Sequence, residues 1–267
     1  MDYSFYAEFQ KGHTLKSTID ILNSSKIPRC PIHISPGLVE IRISNANNSI
    51  LYNIRLDHKS MSCKKERYFS VNLKHLARLL KNVKKKDSLT LFFTNENQGN
   101  LGIIIQPAKQ SDMPRKEQLY ITIHEEDLDL CIDSLENADD GEPIYNVKDM
   151  IKASIKTTEY QRLKELKKIS KNVNVKLDKG YISFMPVGEV VFGGELSFGV
   201  SLDKPVYNNE FFIEHFIAIT KVSGVSTIMS FIPPVDPDYP LKVLLDIHEY
   251  GTMCIYIKTV EQLESDE

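Results

Sequence analysis

The chain has 267 residues, 42% of them hydrophobic and 26% charged, which excludes a disordered protein. That length suits two globular domains of about 130 residues each. No apolar run approaches the roughly 20 residues needed to span a bilayer, so no transmembrane helix and no membrane partner are expected. The net charge of −3 taken alone points away from nucleic acid, although its distribution is uneven.

The N-terminal stretch MDYSFYAEFQKGH lacks the basic start and apolar run of a signal peptide, so a reducing compartment is expected. The spacing of Leu15, Ile19 and Leu22 then predicts an amphipathic helix over 12–25. IHIS, LVEIRIS and ILYNIRLD alternate as half-buried antiparallel strands do. Leu73, Leu76, Leu79 and Leu80 predict a second helix over 73–83, and LTLFFTN and LGIIIQP read as strands after it. Residues 125–143 hold nine acidic residues and no basic one, and Gly141 and Pro143 close the stretch. It reads as a solvated interdomain linker, not a metal site, because it has no ordered loop signature.

A third helix is expected over 158–170 from Tyr160, Leu163, Leu166 and Ile169. YISFMPV and VVFGGELSFGV read as strands. Phe212, Phe216, Ile219 and Val222 predict a fourth helix over 210–222, before the strands TIMSFIP, LKVLLDI and MCIYIKT. Cys30, Cys63, Cys131 and Cys254 show no CxxC spacing and read as structural thiols, not as metal ligands or disulfides.

The order of these elements repeats. PIHISPGLVEIRI follows the first helix and VNVKLDKGYISFM the third, each a strand, a Gly turn and a strand. SLTLFF and LGIIIQ follow the second helix, as STIMSFI and PLKVLLDI follow the fourth. The pattern gives an α+β chain of two similar domains, 1–124 and 146–267, joined by a linker over 125–145.

Charge follows the helices. The stretches 11–25, 73–86, 157–172 and 210–222 hold 14 basic and 5 acidic residues, whereas the whole chain has 33 basic and 36 acidic. If the four helices share a surface, an otherwise acidic protein gains a positive lining able to displace counterions from phosphates without reading bases. Helices two and three carry most of that charge, and the fourth leans acidic.

Several segments resemble the family of proliferating cell nuclear antigen, the sliding DNA clamps. SVNLKHLARLLKNVKKKDSLTL at 70–91 is similar to the family's strand end and "VNL" leading into a helix and a strand. FYAEFQKGHTLKSTIDIL resembles its N-terminal strand and helix, and EYQRLKELKKI the first helix of its second domain. EFFIEHFIAITKVSGVSTIMSFI resembles its last helix and following strand, and PLKVLLDIHEYGTMCIYIKTVEQLE its C-terminal hairpin. These matches lie in the family's order along nearly the whole chain.

The resemblance implies a DNA-clamp fold, with two helices packed on antiparallel sheets in each domain. It implies a homotrimeric ring that encircles duplex DNA and holds DNA polymerase and other replication and repair proteins on it. A clamp loader would open the ring. Subunits would join through edge strands, with candidates at 118–124 and 193–202. Lys16, Arg78, Lys81 and Lys221 match basic positions of the family that face DNA, and Lys164 matches with the chain one residue shorter there. Arg162, Lys168, Lys84 and Lys85 extend that basic set on the second and third helices, while Glu214 stands where the family has an arginine.

A partner-peptide pocket is implied at Ser44, Asn48, Ser49, Ile144, Pro240, Tyr256, Ile257 and Lys258. The chain departs from the family there: Ser44 is polar where the family is apolar, and Lys258 and Thr259 replace a small residue and a proline. The resemblance also implies a nuclear protein, or one of a cytoplasmic viral replication site. No P-loop, GxGxxG, HExxH or nucleophile elbow is present, so no enzyme, cofactor or metal site is expected. The alternative reading is a subunit of a heterotrimeric checkpoint-type clamp or a monomeric viral-type processivity factor.

Overall fold

The structure, a computed structural model, describes residues 2–57, 60–107, 117–125, 144–145, 151–188, 194–200 and 206–265. Cys131, most of the expected linker, and positions 193, 201 and 202 of the second candidate edge lie outside the described residues. The chain divides into two compact units. One comprises Met1–Ile43, Asn53–Ile132 and Asp246–Met253, and the other Ser44–Tyr52, Asp133–Leu245 and Cys254–Glu267.

In the first unit β1 (Tyr3–Phe9) leads through Gly12 into α1 (Gly12–Ser24). The strands β2 (Arg29–Ser35), β3 (Leu38–Ser44), β4 (Ile50–Leu56), β5 (Met61–Cys63) and β6 (Arg67–Asn72) follow, of which Ser44 and Ile50–Tyr52 are assigned to the second unit. β6 runs straight into α2 (Leu73–Leu79), which continues as a 3-10 turn at Leu80–Asn82, and β7 (Ser88–Thr94), β8 (Asn100–Gln106) and β9 (Glu117–Glu125) complete the series. The helix start at α2 is set by Asn72, whose side-chain oxygen accepts from the His75 N–H at 2.9 Å. Period-2 burial puts Phe5, Ala7 and Phe9 of β1 in the core. β1 pairs antiparallel with β7, β7 with β8, and β8 with β9, while β2 pairs antiparallel with β3 and β6.

α1 packs beside α2. Leu15 and Ile19 from α1, and Leu76 and Leu80 from the α2 segment, meet Phe69 and Leu101 of the sheet around a cavity of about 30 Å³. Each of these side chains is at most 6% exposed. Buried aliphatic groups of this kind stabilise by about 1.5–3 kcal/mol apiece.

The second unit contains β10 (Ala153–Lys156), α3 (Thr157–Tyr160), β11 (Asn172–Asp178), β12 (Tyr181–Val187), β13 (Leu196–Phe198) and β14 (Tyr207–Phe212). It continues through α4 (Ile213–Ala218), β15 (Ile228–Ile232), β16 (Leu241–Asp246), β17 (Gly251–Ile257) and α5 (Val260–Glu264), of which Asp246 and Gly251–Met253 are assigned to the first unit. Its connections repeat those of the first unit. The strand order β10-β15-β16-β17 repeats β1-β7-β8-β9, and β13-β12-β11-β14 repeats β4-β3-β2-β6. In both units the strand before the first helix pairs antiparallel with the strand after the second. The duplication read from element order is therefore a duplication of hydrogen-bonded topology. The fold is α+β, with antiparallel sheets and short helices.

Two helices differ from the sequence expectation. The segment expected to be helical over 158–170 is a single α-turn, α3, followed by a 3-10 helix at Gln161–Lys168. The reason is visible in the spacing. Tyr160, Leu163 and Leu166 recur every third residue, which a 3-10 helix keeps on one face and an α-helix rotates away. Tyr160 and Leu163 are fully buried, whereas Ile169 is 39% exposed. The fourth helix begins at Ile213, not 210, because 210–212 still belong to the ladder of β14, where Phe211 faces Val173 and Phe212 faces Asn172.

The β16–β17 hairpin of the C-terminal segment has a tight constraint at Gly251, whose φ is +142°. A Cβ there would lie 1.9 Å from the Arg55 carbonyl oxygen. Gly251→Ala should lower stability by about 2–4 kcal/mol, through strain and backbone displacement together. Gly37→Ala, at φ +78° with nothing near the added methyl, should cost only the left-handed strain of about 1 kcal/mol. Urea midpoints of the two variants check the difference; equal losses would refute the close approach at Gly251.

Candidate nucleic-acid interface

The apolar stripes of the helices dictate where their cations go. With Leu73, Leu76 and Leu80 buried, Arg78 and Lys81 are forced outward and both are exposed. Beyond the 3-10 turn Val83 is 3% exposed and anchors the chain, so Lys84, Lys85 and Lys86 project as exposed side chains around it. The Lys84 N–H donates to Asp87 Oδ2 at 2.8 Å, which closes this lysine loop onto the start of β7. Lys16 on α1 is half-buried. Among the described residues, none of Lys16, Arg78, Lys81, Lys84 and Lys85 has an acidic partner. The first unit therefore presents uncompensated positive charge on and after its helices.

The second unit differs. Arg162, Lys164, Lys168 and Lys221 are exposed without an acidic partner among the described residues. Lys167, however, pairs with Glu214 at 3.0 Å. Glu214 occupies the position where the resemblance led one to look for an arginine, and it neutralises a neighbouring lysine. α4 and the 3-10 turn at Thr220–Gly224 pack on the 161–168 segment.

Beside these cations, a groove of about 470 Å³ is lined by Lys167, Lys171, Phe212 and His215 among others. His215 is 7% exposed, its Nδ1 has no hydrogen-bond partner, and the Phe212 ring meets it edge-on at 5.6 Å. Burial pushes its imidazole down to about 4, against which Glu214 works weakly.

The residues expected to form a peptide pocket divide into two groups. Ile144, Pro240 and Tyr256 come together. Ile144 and Tyr145 pack with Ile232, Cys254 and Tyr256 in a buried cluster, bordered by Leu51, Tyr239 and Leu244. The Tyr145 hydroxyl donates to the Pro240 carbonyl at 2.6 Å, and its ring lies 5.8 Å from that of Tyr256. The Lys242 ammonium stands 5.0 Å from the Tyr145 ring centre. Tyr256 is 1% exposed, so its ring is covered by the chain's own residues.

Ile257 is fully buried and, one residue on in the strand, faces away from the cluster. Ser44 and Asn48 sit on the β3–β4 turn, where the Ser44 hydroxyl donates to Asn48 Oδ1 at 2.6 Å and Asn48 takes φ +52°. Lys258 is half-buried, and its N–H donates to the Ser49 carbonyl at 3.0 Å, tying that turn to the end of β17. Thr259 caps α5 through a reciprocal pair of hydrogen bonds with Gln262. Tyr145, which the sequence reading passed over, is the residue that closes this cluster. Its position next to Ile144 was the available signal.

Both candidate edges are open among the described residues. β9 pairs with β8 over 117–122 and with β6 only over 123–125, so no second strand covers 118–122. A groove lined by Arg78 and Leu79 of α2, and by Tyr120 and Thr122 of β9, runs along this edge, and Tyr120 is 47% exposed. β13 has a single neighbour, β12.

No protein-family model matches the chain, and no curated protein is significantly similar to it.

Two stability measurements probe this region. Tyr145→Phe removes one buried hydrogen bond and keeps the ring, and should cost about 1 kcal/mol, read as a shift in urea midpoint. His215 holds its proton less tightly when folded than when unfolded, so the unfolded chain takes up protons first as pH falls below about 6.5. Its stabilising contribution is complete above that pH and is lost progressively towards pH 4, by about 3 kcal/mol at most. His215→Gln should flatten that part of the stability–pH curve; an unchanged slope between pH 6.5 and 4 would place the titration elsewhere.

Proposed function

We propose that the protein is a sliding DNA clamp subunit, a non-enzymatic processivity factor that encircles duplex DNA as a homotrimer and tethers polymerase and other replication proteins. The observation that carries the reading is the duplicated topology: two units with the same strand order, with exposed Arg78 and Lys81 on the α2 segment of the first and exposed Arg162, Lys164, Lys168 and Lys221 on the 3-10 segments of the second. The segments that resemble the clamp family follow one another along the chain in that family's order, which supports the reading.

Assembly would use the outer edge of β9 and the single-neighboured β13, a head-to-tail contact that satisfies two strand edges and can close into a ring. The cations contact phosphates without base readout, so binding is weak, salt-dependent and compatible with sliding. Tethering then raises the polymerase's effective concentration at the primer end. Partner peptides would dock over the buried Tyr145–Tyr256 cluster, against the half-buried Leu51, Tyr239, Lys242 and Leu244 that border it.

Mass in solution tests the assembly. A species near three times 30.5 kDa is expected, and a stable monomer at micromolar concentration would exclude the homotrimer. Lys81→Glu with Lys84→Glu should abolish processivity on primed DNA while leaving the mass unchanged. Unaltered processivity would remove these residues from the DNA interface. An electron-microscope image of the purified particle should show a ring with a hole of duplex width.

A further inference from the structure

His13 was not among the residues expected to meet DNA, yet the fold sets it between two that were. Gly12 has no Cβ, and one there would lie 2.8 Å from Leu89 Cβ and 2.9 Å from the Asp87 carbonyl oxygen. Its absence lets the first turn of α1 lie against the start of β7, where the Gly12 N–H donates to the Asp87 carbonyl at 2.8 Å. The same Asp87 holds the lysine loop through the Lys84 N–H, and its own N–H donates back to the Lys84 carbonyl at 3.1 Å. One residue thus pins the loop carrying Lys85 to the helix carrying His13 and Lys16. His13 and Lys16, three positions apart, share a face of α1. The imidazole is half-buried, and its Nδ1 lies 3.3 Å from Ser17 Oγ, while Nε2 has no hydrogen bond among the described residues.

We propose that His13, Lys16 and Lys85 form a phosphate subsite for duplex DNA, whose occupancy is coupled to protonation of His13. It rests on the DNA-binding reading above and adds to it a residue and a pH response. Lys16 and Lys85 are close enough to His13 for their charges to act on its ring, and neither has an acidic ion-pair partner among the described residues. The charged groups facing His13 are Lys16 and Asp20 from α1 and Lys85 from the loop. Desolvation first, then the charges of Lys16 and Lys85, hold the imidazole below its ordinary value, with Asp20 opposing. The ring is therefore neutral near pH 7 in the free protein. A phosphate placed among the three groups favours the imidazolium, so DNA binding takes up a proton and tightens as pH falls.

The test uses the full chain and a short DNA duplex at low, fixed ionic strength, with imidazole resonances followed by NMR from about pH 8 to 5. His13→Asn assigns the His13 signal. Its titration midpoint should rise by about one pH unit when duplex is added, and affinity should increase up to about tenfold over that range. His13→Asn should remove that increment, and Lys85→Ala should lower the salt slope of binding by about one. Duplex binding whose pH profile is identical in His13→Asn, with no movement of the His13 midpoint, overturns the subsite and leaves the DNA-binding reading standing. Absence of any salt-dependent duplex binding by the unaltered protein overturns both.

Discussion

Leu15 and Ile19 of α1 and Leu76 and Leu80 of the α2 segment close over one patch of sheet in the first unit. That burial decides the rest of the surface. A helix with its leucines inward has only its outer face for Arg78 and Lys81, and the chain beyond it, anchored by Val83, has only solvent for Lys84, Lys85 and Lys86. The positive face is thus the complement of the hydrophobic one, and the charge costs little because water still reaches it. Tyr160, Leu163 and Leu166 do the same for the second unit, holding Arg162, Lys164 and Lys168 outward.

The two units share a topology and differ in charge. In the first, the basic side chains of α1, of α2 and of the loop before β7 lack acidic partners among the described residues. In the second, Glu214 pairs with Lys167 and cancels part of the field. A single exposed pair of this kind adds little stability, about 0.2–1 kcal/mol, so its main consequence is electrostatic. On the proposed reading, phosphates are gripped more firmly by the first unit, and Asp87 matters because it fixes the lysine loop against α1.

The aromatic cluster in the second unit poses a different physical problem. Tyr145 and Tyr256 are large, flat and almost wholly covered, with Lys242 over the Tyr145 ring and Pro240 accepting the Tyr145 hydroxyl. A peptide that used this surface would meet the half-buried Leu51, Tyr239, Lys242 and Leu244 first, not the rings of Tyr145 and Tyr256. The chain after Thr259 is a capped helix whose first backbone groups are already bonded, so fewer remain there to pair with such a peptide.

Element type and order were legible because periodicity is local. Alternation marked the strands, and Leu15, Ile19 and Leu22 marked α1 within one residue of its observed bounds. The duplication was legible for the same reason, since it is written in the order of elements. The third helix was misread although its three-residue spacing was in plain view; it is a 3-10 segment because that period, not 3.6, keeps Tyr160, Leu163 and Leu166 together.

What tertiary structure alone decided depends on contacts distant in sequence. It gathers His13 with Lys85 through Asp87, opposes Glu214 to Lys167, covers Tyr256 with Tyr145, and assigns Ser44–Tyr52 to the second unit and Asp246–Met253 to the first. Period and polarity in the sequence set most of the inward and outward side chains, with Ile169 and Phe212 the exceptions because the segments that carry them are not the α-helices their spacing suggests. Which outward side chains meet one another is set by how the strands pair, and strand pairing joins residues that no local pattern connects.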